Sequence, residues 1–206
     1  MSLLYLLDIL ALIALGLSGG SLAARKGMDF FGAMFLAVAT ALGGGMLSDM
    51  LLGRTPEALR EEWILPLAAA TGLVAFFLGE RLKGFTLLIA YLDAIGLGLY
   101  AVAGAQRGLT AGTSLAGIAF LGVLTGSGGG MLRDVLAGEI PFVLRRELYA
   151  SVAAGGALVY GLMFPYFEGS RVLGFGVAAV VTVIRIFALR LGIHARPNST
   201  PPAVPR

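Results

Sequence analysis

Apolar residues reach this chain in long blocks, separated by short polar connections, and not in the alternation of a half-buried strand. Seven blocks stand out, at residues 3–22, 30–52, 63–78, 85–105, 113–137, 148–167 and 172–191. Runs of about 17 to 25 predominantly apolar residues match the hydrocarbon thickness of a bilayer, so each block predicts a transmembrane helix. The fold class expected is an all-α integral membrane protein with seven transmembrane helices. The first block reads as a retained span and not a cleaved leader, because no Lys or Arg precedes it.

Two blocks carry an unusual interruption. Residues 43–56 read GGGMLSDMLLGRTP and residues 128–141 read GGGMLRDVLAGEIP. Each Gly in a helix interior costs roughly 1 kcal/mol relative to Ala, so the triplets Gly43, Gly44, Gly45 and Gly128, Gly129, Gly130 predict broken or kinked second and fifth spans. Unwound backbone in hydrocarbon is tolerated only where protein buries it or a wet cavity receives it. A pair of breaks therefore points to a permeation path, with close helix packing as the competing reading.

The triplets belong to a longer repeat at a constant offset of 85. Asp8 matches Asp93, Gly19 matches Gly104, Thr40 matches Thr125, Asp49 matches Asp134, Gly53 matches Gly138, Pro56 matches Pro141 and Glu62 matches Glu147. Each copy holds three spans. An odd number forces the second copy to enter the membrane upside down, the inverted-repeat plan of many transport proteins. The expected organisation is a first repeat at 1–84, an inverted repeat at 85–169, a seventh span at 170–192 and a disordered tail at 193–206 rich in Pro.

Charged groups within spans are costly, at least about 2.5 to 3.5 kcal/mol on insertion scales, and so normally face protein or water. Asp49 and Asp134 each follow the last glycine of their triplet by four residues, on the same helical face. Asp8 and Asp93 occupy equivalent places in the first and fourth spans. Arg133 faces a Ser48 in the first copy and can bridge to Asp49 or Asp134, as a structural ion pair or as part of a gate. Ser48, Thr125 and Ser127 add hydroxyls beside the triplets. Arg185, near the end of the seventh span, is expected to be structural or lipid-facing, its long stem reaching the interface. Trp63, Tyr149, Tyr160 and Tyr166 are expected as interface anchors.

Composition adds orientation and exclusions. Of 15 basic residues, nine fall on one side of the predicted topology (25, 26, 81, 83, 145, 146, 190, 196, 206) and four on the other (54, 60, 107, 171). The positive-inside rule then places the N-terminus outside and the C-terminus in the cytoplasm. The net charge of +3 reflects this bias and not a nucleic-acid partner. With no Cys and a single His, thiolate metal sites and disulfides are excluded, and no cofactor, fixed metal or hydrolase motif is expected. The NST sequon in the tail lies on the predicted cytoplasmic side.

The duplicated GGGxxxD with Arg133 before Asp134, the Gly-x-x-Pro turns and the extra span together resemble the prokaryotic members of the trimeric intracellular cation (TRIC) channel family, also described as a glycine transporter family of inner-membrane proteins. The resemblance spans residues 3–191. It implies a homotrimer in the cell membrane, each protomer with its own pore along the kinked second and fifth spans, conducting monovalent cations, chiefly potassium, among membrane lipids. The phosphoinositide binding of animal relatives, placed near basic residues on the fourth span, is not expected here, since the block at 85–105 holds none. Inverted repeats with broken helices are equally the habit of secondary transporters, so a carrier of a small solute such as glycine stands as the alternative.

Overall fold

The computed structural model describes residues 3–79, 86–145, 147–167 and 170–191. The described residues are helical with short turns: α1 (Leu3–Arg25), α2 (Phe30–Leu51), α3 (Glu57–Arg60), α4 (Ile64–Gly79), α5 (Thr86–Thr110), α6 (Leu115–Leu136), α7 (Phe142–Arg145), α8 (Glu147–Met163) and α9 (Arg171–Arg190), with a 3-10 turn at Phe164–Tyr166. Six of the helices are long and apolar enough to cross a membrane, and Ile64–Leu78 is a shorter apolar helix beside them. A helix stands at each of the seven apolar blocks, with ends shifted by a few residues, six of them long enough to span. The largest shift is in α5, which runs through Arg107 to Thr110. The tail expected to be disordered lies outside the described residues.

The offset of 85 governs structure down to the caps. Asp29 and Ser114 cap α2 and α6, accepting from the N–H groups of Gly32 at 2.7 Å and Gly117 at 3.2 Å, which satisfies an orphan donor in each first turn. Gly53 and Gly138 end the corresponding turns at φ of 65° and 72°, a left-handed conformation that only Gly adopts at no steric cost. Asp49 Oδ2 then accepts from the N–H of Glu57 at 3.4 Å, and Asp134 Oδ2 accepts from the N–H of Phe142 at 3.0 Å. Each acid ties its long helix to the short helix that follows.

The glycine triplets do not break their helices. The α-helix of Phe30–Leu51 runs through Gly43, Gly44 and Gly45, and that of Leu115–Leu136 runs through Gly128, Gly129 and Gly130. The physical reason lies in the crossing of α2 and α6. A Cβ on Gly44 would overlap the Thr125 carbonyl oxygen and a Cβ on Gly129 would overlap the Thr40 carbonyl oxygen, while one on Gly128 would lie 2.9 Å from the Gly44 Cα. The contact is reciprocal, as a two-fold relation between the repeats requires. Close approach of the two backbones outweighs the propensity cost of the glycines, so the expectation of an interrupted helix is corrected to one of small-residue packing. The same device recurs at Gly19 and Gly104, whose Cβ atoms would crowd the Oγ1 atoms of Thr40 and Thr125 at 2.6 and 2.5 Å.

Candidate functional site

Two ion clusters flank this crossing. Asp49 lies five residues beyond Gly44 on α2, and Asp134 five beyond Gly129 on α6. At 1.5 Å per residue each acid stands about 7.5 Å along its own helix from the contact. Because the two repeats run in opposite senses, the acids emerge on opposite sides.

The cluster around Asp134 is buried and closely bonded. Arg133, fully buried, donates from Nε to Asp134 Oδ1 at 2.9 Å and from Nη1 to Asp93 Oδ1 at 2.8 Å and Ser18 Oγ at 2.7 Å. Its Nη2 lies 2.8 Å from Asp134 Oδ1. Asp93 and Tyr149 both face Gly130, where a Cβ would stand 3.1 Å from Asp93 Oδ1 and 3.2 Å from the Tyr149 hydroxyl. Arg185 lies over the Tyr149 ring, its Cζ 4.7 Å from the centroid.

The second cluster joins the equivalent acids of the first repeat. Asp8 and Asp49 are bound by Arg107 of α5, whose Nη2 donates to Asp8 Oδ1 and Oδ2 at 3.0 and 2.9 Å and whose Nε lies 3.4 Å from Asp49 Oδ1. Arg107 Nη1 is buried without a hydrogen-bond partner. A cavity of about 30 Å³ adjoins Asp8, Asp49 and Arg107, enough for one or two waters. Outside it a vestibule of about 550 Å³ is lined by Asp49, Arg54, Glu57, Arg60 and Glu61 together with Arg107.

The predicted site residues therefore divide. Asp93, Arg133 and Asp134 come together in one cluster, Asp8 and Asp49 in the other. Arg133 reaches Asp134 and Asp93, and not Asp49. Ser48 and Thr125 join their side-chain oxygens at 2.6 Å across the two helices, and Ser127 turns back to the Val123 carbonyl at 2.6 Å. Arg185 is 3% exposed, which removes the lipid-facing alternative and leaves the structural one: the Tyr149 face receives the guanidinium inside the bundle. Tyr149 and Tyr160 are likewise core residues and not interface anchors, with Tyr160 donating to Gln106 on α5. Tyr166 stays exposed. Trp63 is partly buried and packs edge-on against Tyr5.

Arg107 is the residue that sequence reasoning missed. Counted as a connection residue, it is in fact 5% exposed and inside α5, so the fourth span does carry a buried base. The available signal was stoichiometric, since Asp8 and Asp49 within spans needed a cation that the spans of their own repeat lack. Arg107 restores a charge symmetry that the substitution of Ser48 for Arg133 had seemed to break.

Known proteins resemble this chain along most of its length. The family described as glycine transporter matches residues 5–80 and, separately, 90–165. A UPF0126 membrane protein of Deinococcus radiodurans is 41% identical over 167 residues, 80% of this chain and 78% of the relative, and one of Streptomyces coelicolor is 40% identical over 96% of this chain and 92% of the relative. Among solved structures, a prokaryotic TRIC channel crystallised in 0.5 M KCl superposes with a TM-score of 0.87 at 32% identity, covering 92% of this chain and 96% of that one. The chain belongs to the prokaryotic TRIC channel family. The TRIC orthologue of Rhodobacter sphaeroides gives 0.88 at 32% identity, over 94% of this chain and 100% of that one. These relatives are named as channels and membrane proteins, none as an enzyme, and the chain is a multi-pass membrane protein like them.

Proposed function

We propose that this TRIC family member is a potassium-permeable channel for monovalent cations. It works as a homotrimer in the cell membrane, with a separate path in each protomer along α2 and α6. The observation that carries this reading is the charge count of the clusters. The Asp8–Asp49 cluster holds two carboxylates against one bonded guanidinium, that of Arg107, while the other sets Asp93 and Asp134 against Arg133 with Arg185 beside them over the Tyr149 ring. A buried acid without a counter-charge is costly, so the Asp8–Asp49 cluster gains from a mobile cation. The vestibule ending at Asp49 supplies the approach from one side.

Arg107 and Arg133 act as gates on the two sides of the glycine crossing, each releasing a carboxylate oxygen as an ion arrives. At an effective dielectric constant of 20 a unit charge 4 Å away is worth about 4 kcal/mol, enough to decide whether a cation enters. Asp134→Asn should therefore reduce unitary potassium current, whereas Arg133→Ser, which copies Ser48, should raise it or leave the path leaky. Single-channel current recorded beside oligomer recovery tests this. If both substitutions reduce recovery equally and leave the current of surviving molecules unchanged, the pair is structural and the path lies elsewhere. The family description favours a second reading, a carrier of a small solute such as glycine, and uptake without unitary currents would support it.

A further inference from the structure

The offset of 85 provides an internal control on the two buried arginines. Arg133 binds Asp93 and Asp134, and Arg107 binds the matched acids Asp8 and Asp49. Arg133 is held through every nitrogen of its guanidinium: Nε and Nη2 on Asp134, Nη1 on Asp93 and, at 2.7 Å, on the Ser18 hydroxyl. Ser18 is fully buried on α1. Its matched residue, 85 positions on, is Ala103, equally buried on α5. Where one half of the protein places a hydroxyl oxygen, the other places a methyl group.

The consequence falls on Arg107. Residues four apart share a helix face, so Ala103 and Arg107 stand one turn apart on the same side of α5. Ala103 has no side-chain acceptor to offer, and Arg107 Nη1 is buried with no hydrogen-bond partner among the described residues. The remaining hold is also looser. Nε of Arg107 lies 3.4 Å from Asp49, whereas Nε and Nη2 of Arg133 lie 2.9 and 2.8 Å from the matched Asp134. A buried donor without an acceptor carries the full cost of its lost hydration, and a shift of Arg107 toward water recovers it. Room for that shift adjoins the guanidinium, since Arg107 lines both the small cavity and the vestibule.

We propose that the residue at this matched position sets how firmly each arginine is held: Ser18 anchors Arg133, and Ala103, by supplying no acceptor, leaves Arg107 the looser of the two gates. Both act through the arginines and are positioning residues. A cation entering from the vestibule meets the loosely held guanidinium first, and the anchored one only beyond the glycine crossing. The consequence for current rests on the channel reading. The difference in hold does not.

Phenylglyoxal, which modifies accessible arginines, measures the hold when applied to the purified protein and followed by peptide mapping. Ala103→Ser should slow modification of Arg107 about fivefold, the worth of one ordinary hydrogen bond, and Ser18→Ala should speed that of Arg133 by a similar factor. Planar-bilayer recordings should follow suit, with shorter openings at unaltered unitary current in Ala103→Ser and longer openings in Ser18→Ala. Ala103→Cys, close to serine in shape but a weak acceptor, should react as the wild type does. Equal slowing in Ala103→Ser and Ala103→Cys would assign the effect to bulk and overturn the proposal. So would unchanged reactivity of Arg107 in Ala103→Ser or of Arg133 in Ser18→Ala. A wild type without unitary current would end the channel reading, and the labelling rates would still decide the difference in hold. Ser18→Ala adds no atom to the core, so it decides even where Ala103→Ser folds poorly.

Discussion

At Gly129 an added methyl group would overlap the Thr40 carbonyl oxygen, whereas at Gly45 it would meet only Arg107 Nη2 at 3.9 Å. Glycines of the two matched triplets thus carry different loads. Gly129→Ala and Gly44→Ala should each cost about 1–3 kcal/mol through overpacking of α2 on α6, while Gly45→Ala should stay within about 1 kcal/mol of wild type, its propensity gain offsetting any crowding. Thermal unfolding of the purified variants in detergent checks the contrast, and equal losses at all three positions would contradict it. The sequence made these positions visible as a repeat but not as a contact, because propensity describes a lone helix and the neighbouring backbone decides here. Arg107 was hidden for a related reason. Its partners Asp8 and Asp49 lie 99 and 58 residues away in sequence, and the first repeat offers no basic counterpart, Leu22 standing at the matching place.

Helices as units were more legible than their ends. Seven apolar blocks gave the helices, and the span boundaries moved only where a connection continued helical, as at Arg107 in α5. The connections hold one link between repeats that hydropathy gives no hint of. Lys26, between α1 and α2, meets Glu139, between α6 and α7, at 2.8 Å with both side chains 37% exposed. The hydrogen bond from Lys26 holds the Glu139 carboxyl below its ordinary range. A lowered folded-state value means that the contribution is fully present above the ordinary glutamate pKa of about 4.3 and is lost as pH falls through the lowered value. A half-exposed pair of this kind contributes about 0.2–1 kcal/mol. Glu139→Gln should therefore lower the unfolding temperature slightly at pH 7 and leave it unchanged near pH 3, a difference that melting curves at the two pH values would show.

For the whole molecule, the pseudo-two-fold relation is the part most fully written in the sequence, since the offset of 85 recurs in caps, turns, acids and the glycine crossing. What it does not encode is which repeat lends its arginine to which acids. A cysteine-free chain makes the topology directly accessible. Cysteine placed at Arg25 should label from the cytoplasm alone and at Glu57 from outside alone. Labelling of both from one side would contradict the proposed orientation of α2.

The central claim is that cations cross this protein through a continuous path guarded by two buried clusters of acids and arginines. Recording the purified wild-type protein in a planar bilayer between unequal potassium chloride solutions tests it most directly. The account predicts discrete unitary openings whose reversal potential shifts toward that of potassium. Macroscopic solute uptake with no unitary current, or a reversal potential at that of chloride, would contradict it.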